Sequence, residues 1–245
     1  MQRIAIAGNT STGILKLIAL AAMVCDHVGA AIFPANMWYR VIGRIAFPLY
    51  CWCLVVGICH TRDMKRYFLR MLAAGIISQP LYMLALNHTW QQPNIMLTLA
   101  LALGALWGVH KQWHGSQLWG PVLAAAAAEL LHCDYGWKGV LLPVVMYLLR
   151  GNRLALAAGV TAFCAAWNPS GVYVGYLFGI PAFWPKQPDW WSAVMPFLRV
   201  QFFAVLSLPF MLIRFPRDFR MPAWLRYGLY PTHLAAIWLV RLLMR

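Results

Sequence analysis

The chain has few acidic residues and few charged residues of any kind. Asp and Glu together number six among 245 residues, against 20 Lys and Arg, and charged residues make up 11% of the chain. A soluble domain has about a quarter of its residues charged. The low charge, the hydrophobic fraction of 62% and the positive mean hydropathy therefore exclude a soluble globular protein and indicate an integral membrane protein.

The sequence also lacks the alternating segments of about ten residues that mark an outer-membrane barrel. Its apolar residues form continuous runs instead, at 14–34, 41–60, 67–86, 94–110, 117–131, 138–149, 153–167, 193–213 and 228–244. Since a spanning helix needs about 20 apolar residues, we predict an all-α transmembrane bundle of about nine helices, with eight to ten as the range. We expect one domain over residues 1–245, in which the Pro-, Gly- and Trp-containing stretch 168–192 forms a re-entrant or interfacial hairpin.

The distribution of cations predicts orientation and partners. The net charge of +14 comes from Lys and Arg residues between the apolar runs, mainly at 60–70, 111, 150–153 and 214–226. The positive-inside rule places such loops in the cytoplasm, so we expect a cytoplasmic N-terminus, the lipid bilayer as partner and no nucleic acid. The first apolar run carries Asp26 and His27, which argues against a cleavable signal peptide.

Cysteine and histidine spacing predicts neither disulfides nor a metal. The six cysteines show no C-x-x-C spacing, and all but Cys133 lie in apolar runs, where cysteine behaves as a small hydrophobic residue. His110 and His114 have the i, i+4 spacing of a helical metal site. They flank a probable loop, however, and we assign them a solvated or interfacial role.

Asp26 and His27 are the most informative residues because they interrupt the first apolar run. An ionisable residue at the centre of a spanning helix costs on the order of 3 kcal/mol, so it faces a partner or an aqueous cavity. We therefore place the candidate chemistry at this pair. The alternative is a structural polar clamp between helices.

Lys16 lies eleven residues before His27, which is about three helical turns and about 16 Å on one face. This spacing places Lys16 at the cytoplasmic mouth of the helix and His27 near the middle of the membrane. Such an arrangement suits a ligand with an anionic head outside and a long arm that reaches inward. The alternative is a lysine that snorkels and marks the helix end.

Two sets of arginines repeat every four residues. Arg62, Arg66 and Arg70, with Lys65 beside them, form a cationic stripe that suits phosphates, although ordinary positive-inside charge explains it equally well. Arg40 and Arg44 repeat at the opposite face, where that rule predicts few cations. Because adjacent helical positions point about 100° apart, Asp26 does not orient His27, and we expect it to pair with Arg44. A structural role for this ion pair is almost as well supported as a catalytic one.

Further polar residues lie at or inside helix ends, and we expect them to form hydrogen bonds within the bundle. They are Gln79, Asn94, Thr98, Asp134 and His233. Of these, His233 is also a candidate second acid or base.

Seven segments carry a family resemblance, in order from about residue 14 to 240. They read LKLIALAAMVCDHVGAAIFP, RVIGRIAFPLYCW, TRDMKRYFLR, SQPLY, NIMLTLALALG, DYGWKGVLLP and LRYGLYPTHL. In these the chain resembles the TraX family, whose named function is acetylation of the conjugative pilin subunit. That family is similar to the integral membrane acyltransferases, in which a basic residue followed after ten positions by His marks the first helix, as Lys16 and His27 do here. The R-x-x-R spacing of the superfamily is not reproduced, since Arg66 and Arg70 are four apart.

The resemblance implies a membrane-embedded acetyltransferase of the bacterial inner membrane. Acetyl-CoA would come from the cytosol, and its phosphates would bind the cations at the cytoplasmic face, namely Lys16, Arg62, Lys65, Arg66 and Arg70. His27 would act as general base or form a transient acetyl-histidine, while Arg44 or a nearby amide would stabilise the oxyanion.

The acceptor stays open between a pilin-like protein and a glycan or lipid hydroxyl, and so does the oligomeric state. Two other functions stay open as well. One is a proton-coupled transporter, because an Asp–His pair with Arg partners also describes a proton relay. The other is a non-enzymatic assembly factor for a pilus or other surface appendage.

Overall fold

The computed structural model of the chain describes residues 5–167, 176–177, 180–181, 199–216, 218–219 and 221–244. These residues form a helical bundle, as the apolar runs predict. Its α-helices are α1 Thr12–Ala31, α2 Met37–Gly43, α3 Ala46–His60, α4 Met64–Leu86, α5 Ile95–Lys111, α6 Ser116–Leu130, α7 Gly136–Leu149, α8 Arg153–Ala166, α9 Leu208–Leu212 and α10 Ala223–Leu243. Two 3-10 helices cover Trp113–Gly115 and Val200–Ser207, and two short antiparallel strands, β1 Tyr176–Leu177 and β2 Ile180–Pro181, pair with Tyr176 opposite Pro181.

The described part of the chain contains three helical segments that are long and apolar enough to cross a membrane. They are Thr12–Ala31, Met37–His60 and Met64–Leu86. Other apolar helices are shorter: Ile95–Lys111, Gly136–Leu149, Arg153–Ala166 and Val200–Leu212. The apolar helices mark the chain as a membrane protein, while the count of nine spans stays a prediction. The expected hairpin at 168–192 lies, apart from the two strands, outside the described residues.

The connections predicted to be cytoplasmic meet at one end of the bundle, called here the basic end. The backbone N–H of Ala7 donates to the Arg150 carbonyl over 2.8 Å, and that of Asn9 donates to the Met211 carbonyl over 2.6 Å. Gly13 N–H donates to the Asp218 carboxylate over 3.0 Å. These contacts bring residues 5–13, 150–153, 210–216 and 218–219 together, so the basic connections that the structure describes there share a face.

Helix α3 forms the centre of the bundle, since most of its side chains are buried. Trp52 is fully buried, and its indole N–H donates to the Asn9 carbonyl over 2.7 Å. Around α3, helices α1 and α10 run in the same direction. Gly13 at the start of α1 meets Asp218, which precedes α10, and His27 further along α1 meets His233 of α10.

Helix α5 begins inside the bundle and not at its surface. Its N-cap residue Asn94 is fully buried, and the Asn94 amide donates to the Gly75 carbonyl over 2.7 Å and to Gln79 Oε1 over 2.9 Å. Gly75 lies eleven residues into α4, which is about 16 Å along its axis. The N-terminus of α5 therefore lies about midway along α4.

Candidate active site

Asp26 forms a double ion pair across the first helix hairpin. Its Oδ1 accepts from Arg44 Nη2 over 2.6 Å, and its Oδ2 accepts from Arg40 Nη1 over 2.9 Å. The predicted Asp26–Arg44 ion pair is thus confirmed, and Arg40 is a second partner. Since both carboxylate oxygens are engaged by cations, the cost of placing a charge inside the bundle is largely offset.

Gly43 makes this ion pair possible. A Cβ atom at this position would lie 2.3 Å from Asp26 Cβ and Oδ1, which no side chain tolerates. Glycine therefore lets α2 approach α1 closely enough for the guanidinium groups to reach the carboxylate.

Gly43→Ala is expected to destabilise the protein by about 2 kcal/mol, because overpacking of a tight helix contact costs about 1–3 kcal/mol. Chemical unfolding of the protein in detergent measures the change. Gly151→Ala is the matched control, since a Cβ atom there meets nothing within 4 Å. Equal stability of the two variants would contradict the role of Gly43.

Arg44 connects the first helix hairpin to two further elements. Its Nη1 donates to the Tyr135 hydroxyl over 3.0 Å and to Gln201 Oε1 over 3.2 Å, and its Nε donates to the Arg40 carbonyl over 3.3 Å. Arg44 thereby ties α1 and α2 to the start of α7 and to the second 3-10 helix. Four of its five N–H groups are accounted for by these bonds and the one to Asp26.

His27 pairs with His233. His27 Nδ1 and His233 Nε2 are 2.8 Å apart, and both side chains are largely buried. The ring planes differ by 14° with centroids 5.1 Å apart, which describes two imidazoles lying edge to edge in nearly one plane. A nitrogen lone pair in the plane of one ring then faces the N–H of the other.

The contact of His233 Nδ1 determines which nitrogen atoms of the histidine pair carry protons. His233 Nδ1 lies 3.1 Å from the Leu229 carbonyl oxygen, which only accepts, so this nitrogen carries the proton. In neutral His233, Nε2 is then an acceptor, and the bond between the rings requires His27 Nδ1–H as its donor. This tautomer leaves an unprotonated Nε2 on His27, the form required of a general base.

The division of roles between the two neighbours agrees with the sequence prediction. Asp26 points to α2 and His27 points to α10, as helical geometry requires of adjacent residues. Asp26 therefore supports the site through Arg40 and Arg44, and the partner of His27 is a histidine 206 positions away.

A narrow pocket runs between the basic end and the histidine pair. Its volume is about 50 Å³, and its walls come from α1, α3, α4, α5 and α10. Its lining residues include Lys16, Met23, Met71, Ile95, Met96, Tyr227, Leu229 and Tyr230. Lys16 of α1 lies in the wall of this pocket, and the pocket approaches the histidine pair where Met23 precedes His27 by one turn and Leu229 precedes His233 by one turn.

A wide cavity opens at the other end of the bundle. It has a volume of about 890 Å³ and is bordered by the ends of α1 and α6, the starts of α2 and α7, Trp167 and the second 3-10 helix. Four cations contribute to its wall, namely Arg40, Arg44, Lys138 and Arg199, with Glu129 and Asp134 as acidic members. The volume lies in the range of about 300–1,000 Å³ that is typical of sites for small ligands.

The second cationic cluster of the sequence lies at the start of α4. Arg62, Lys65, Arg66 and Arg70 are exposed at the basic end, and Tyr67 and Met71 of the same turns line the narrow pocket. One cation of the predicted stripe has an acidic partner. Arg66 is paired with Asp63 over 3.3 Å, and Asp63 also caps α4 by accepting from the Arg66 N–H.

The remaining predicted polar residues form hydrogen bonds within the bundle, as expected. Gln79 and Asn94 bond to each other, and the Thr98 hydroxyl donates to the Asp134 carbonyl over 2.7 Å. Asp134 lies in the loop before α7, where burial raises the pKa of its carboxyl and the positive charge of Arg44 acts against that shift. In the described ranges no group of three His, Cys, Asp or Glu side chains is arranged to hold a metal ion.

Three site residues are not predicted as such from the sequence: Tyr135, Gln201 and Tyr230. Tyr135 and Tyr230 lie in segments that carry the family resemblance, but a single tyrosine or glutamine beside apolar residues is typical of an interfacial or helix-packing residue. Their positions next to Arg44 and His233 depend on contacts between distant segments.

Residues 11–241 match the family described as TraX protein. The probable fimbrial assembly protein FimC, serogroup H1, of Dichelobacter nodosus is 34% identical over 201 residues, which cover 67% of this chain and 80% of that protein. Protein TraX of Escherichia coli is 32% identical over 171 residues, which cover 63% of this chain and 64% of that protein. No solved structure matches.

Proposed function

Because the chain belongs to the TraX family, we propose that it is a membrane-embedded acetyltransferase that moves an acetyl group from cytosolic acetyl-CoA to the N-terminal amine of a pilin subunit. The observation that carries the proposal is the position of the His27–His233 pair. On one side of this pair lies the narrow pocket, which begins at Lys16. The wide polar cavity lies at the other end of the bundle.

The narrow pocket is assigned to acetyl-CoA. Lys16, with the exposed cations of α4 outside, binds the phosphates, and the pantetheine arm follows α1 toward His27. The present volume of about 50 Å³ accommodates an acetyl group. The arm requires side chains to move aside, and the methionines of the wall are suited to this, since Met adapts its shape readily.

The wide cavity is assigned to the acceptor. It lies opposite the basic end, which the positive-inside rule assigns to the cytoplasm of a bacterial inner membrane, with the N-terminus inside. A peptide terminus entering from the outer side then meets the acetyl group from the opposite direction. The fimbrial assembly role in the name of one relative supports a pilin-like acceptor.

The chemistry of the proposal is a direct transfer. The acceptor nitrogen attacks the thioester carbon while His27 Nε2 removes its proton, and the charge that forms on the imidazole is shared with His233 through their hydrogen bond. Collapse of the tetrahedral intermediate breaks the C–S bond, and His27 returns the proton to the sulfur. The products are the acetylated amine and free CoA.

The test is acetyl transfer by the purified protein in detergent. Radiolabelled acetyl-CoA and a pilin-like acceptor are expected to give a labelled acceptor whose intact mass rises by about 42 Da. A proton-coupled transporter, which the hydrogen-bonded histidines would also suit, would neither bind acetyl-CoA nor label the acceptor. Failure to bind acetyl-CoA would overturn the acetyltransferase and leave the transporter or a non-enzymatic assembly factor.

Lys16→Ala is expected to raise the KM for acetyl-CoA about tenfold with kcat little changed, since a charge-assisted hydrogen bond to a phosphate contributes about 1.5–3 kcal/mol to binding. Arg66→Ala is the matched comparison and is expected to change KM less than about threefold, because Arg66 is exposed and already paired with Asp63. Initial rates at varied acetyl-CoA measure both variants. A larger effect at Arg66 than at Lys16 would indicate that the phosphates bind to the cations of α4 and not to Lys16.

A further inference from the structure

The inner end of the narrow pocket contains the buried hydroxyl group of Tyr230. Tyr230 is 4% exposed, and its O–H group has no acceptor within the part of the chain that the structure describes. Buried polar groups are almost always hydrogen-bonded, and an exception needs an explanation. The Tyr230 side chain lines the narrow pocket, so a ligand that enters the inner end of this pocket lies beside it.

The N-terminus of α5 lies at the same place. The Met96 N–H is capped by Asn94 Oδ1 and the Leu97 N–H bonds to the Asn94 carbonyl, while the Ile95 N–H is directed at the Tyr230 hydroxyl oxygen. This helix has 17 residues and starts inside the bundle. Its N-terminus therefore presents a backbone donor and the positive end of the helix dipole in a buried setting, where anions bind.

The histidine pair is adjacent. The Tyr230 ring packs edge-on against the His233 ring, with centroids 5.3 Å apart. Tyr230 and Ile95 line the same pocket that begins at Lys16. A group that accepts a hydrogen bond from the Tyr230 hydroxyl thus lies at the inner end of the proposed path of acetyl-CoA, close to the base.

We propose that the Tyr230 hydroxyl, polarised by the Ile95 N–H, donates a hydrogen bond to the carbonyl oxygen of the acetyl thioester and stabilises its oxyanion. This inference rests on the proposed acetyltransferase activity. When the amine attacks the carbonyl carbon, the electron pair of the C=O bond moves to oxygen, which then accepts this hydrogen bond. The pair returns to the C=O bond as the CoA thiolate leaves. Donors placed where negative charge develops stabilise the transition state more than the substrate.

This site replaces Arg44 as the oxyanion donor expected from the sequence. The Arg44 guanidinium is engaged by Asp26, Tyr135, Gln201 and the Arg40 carbonyl. It also lies in the wall of the wide cavity and not in that of the narrow pocket. Its role in the structure is to hold α2 and the loop before α7 in place.

The test compares Tyr230→Phe with Tyr82→Phe in the full-length protein. Both replacements remove one hydroxyl group from a buried tyrosine, and Tyr82 belongs to the lining of neither cavity. Tyr230→Phe is expected to lower kcat about 100-fold, as loss of one oxyanion donor does, with the KM for acetyl-CoA changed less than about twofold. Tyr82→Phe is expected to retain kcat within about threefold.

Stability separates a catalytic from a structural hydroxyl. Since the Tyr230 O–H group has no acceptor in the described part of the chain, Tyr230→Phe is expected to unfold at nearly the same temperature as the wild type. A slow but fully stable Tyr230→Phe variant supports the carbonyl site. Wild-type kcat in this variant overturns it, and so do equal losses in both variants, which would indicate a packing effect.

A spectroscopic measurement tests the contact without turnover. In a His27→Ala background, the infrared carbonyl stretch of bound acetyl-CoA, labelled with ¹³C in the acetyl group, is expected at a lower frequency than in Tyr230→Phe/His27→Ala. Equal frequencies overturn the carbonyl site. Absence of acetyl-CoA binding and acetyl transfer by the wild type would instead overturn the proposed function as a whole, so the two failures are distinguishable.

Discussion

His27→Ala is expected to lower the rate of acetyl transfer about a thousandfold, within the range of about 10²–10⁴ that general bases contribute. The variant keeps Lys16 and the Tyr230 site, so the KM for acetyl-CoA changes little. It loses the only group that the proposal assigns to removing the acceptor proton. Radiolabel transfer at saturating acetyl-CoA measures the effect.

Two controls accompany this variant. His60→Ala removes an exposed histidine at the basic end of α3 and is expected to retain the wild-type rate. If the histidine pair acts as one unit, the double variant His27→Ala/His233→Ala is no slower than His27→Ala alone, because the effects of such residues do not add. Transfer at the wild-type rate by a folded His27→Ala protein would refute the assignment of the base.

Asp26→Ala is expected to lower the free energy of unfolding by about 3–5 kcal/mol, the cost of removing one partner from a buried ion pair. The side chains of Asp26 and Arg44 are 14% and 10% exposed. Without the carboxylate, Arg40 and Arg44 face each other with no counter-charge between them. Chemical unfolding in detergent, followed by tryptophan fluorescence, measures the loss.

The matched control is the ion pair at the start of α4. Asp63→Ala breaks a pair whose side chains, Arg66 and Asp63, are 68% and 51% exposed, and loses the N-cap as well. It is expected to cost about 1–2 kcal/mol, most of it from the cap. The double variant Asp26→Leu/Arg44→Met tests the mechanism, since removing both charges is expected to cost less than removing Asp26 alone. A double variant less stable than Asp26→Ala would contradict the argument from uncompensated charge.

Several parts of the candidate site could be predicted from the sequence because they are local. Arg44 lies 18 positions after Asp26, across one helix hairpin, so helical periodicity and the shortage of acidic residues point to their ion pair. The common face of Lys16 and His27 follows from the same periodicity. Hydrogen bonds of Gln79 and Asn94 follow from the rule that polar groups inside a bundle find partners.

Other parts could not be predicted, since they join segments far apart in the chain. From the sequence, His233 is predicted to form a hydrogen bond and is a candidate second acid or base, whereas only the structure shows its ring meeting His27 across 206 positions. Nothing in the pattern of α5 indicates that its N-terminus lies inside the bundle beside Tyr230. Such contacts depend on the packing of helices that are all apolar and therefore similar in sequence pattern.

By itself, the sequence determined that the protein is a helical membrane protein, which ends of its helices are basic, and that Asp26 and Arg44 pair within the first hairpin. Composition, helical periodicity and the cost of a charge in lipid are enough for these conclusions. Only the tertiary structure decided which helices surround His27, where the two cavities open and which donors lie unpaired beside the histidines. The reason is that periodicity fixes the faces of a helix, while the partner of each face is chosen by packing against the rest of the chain.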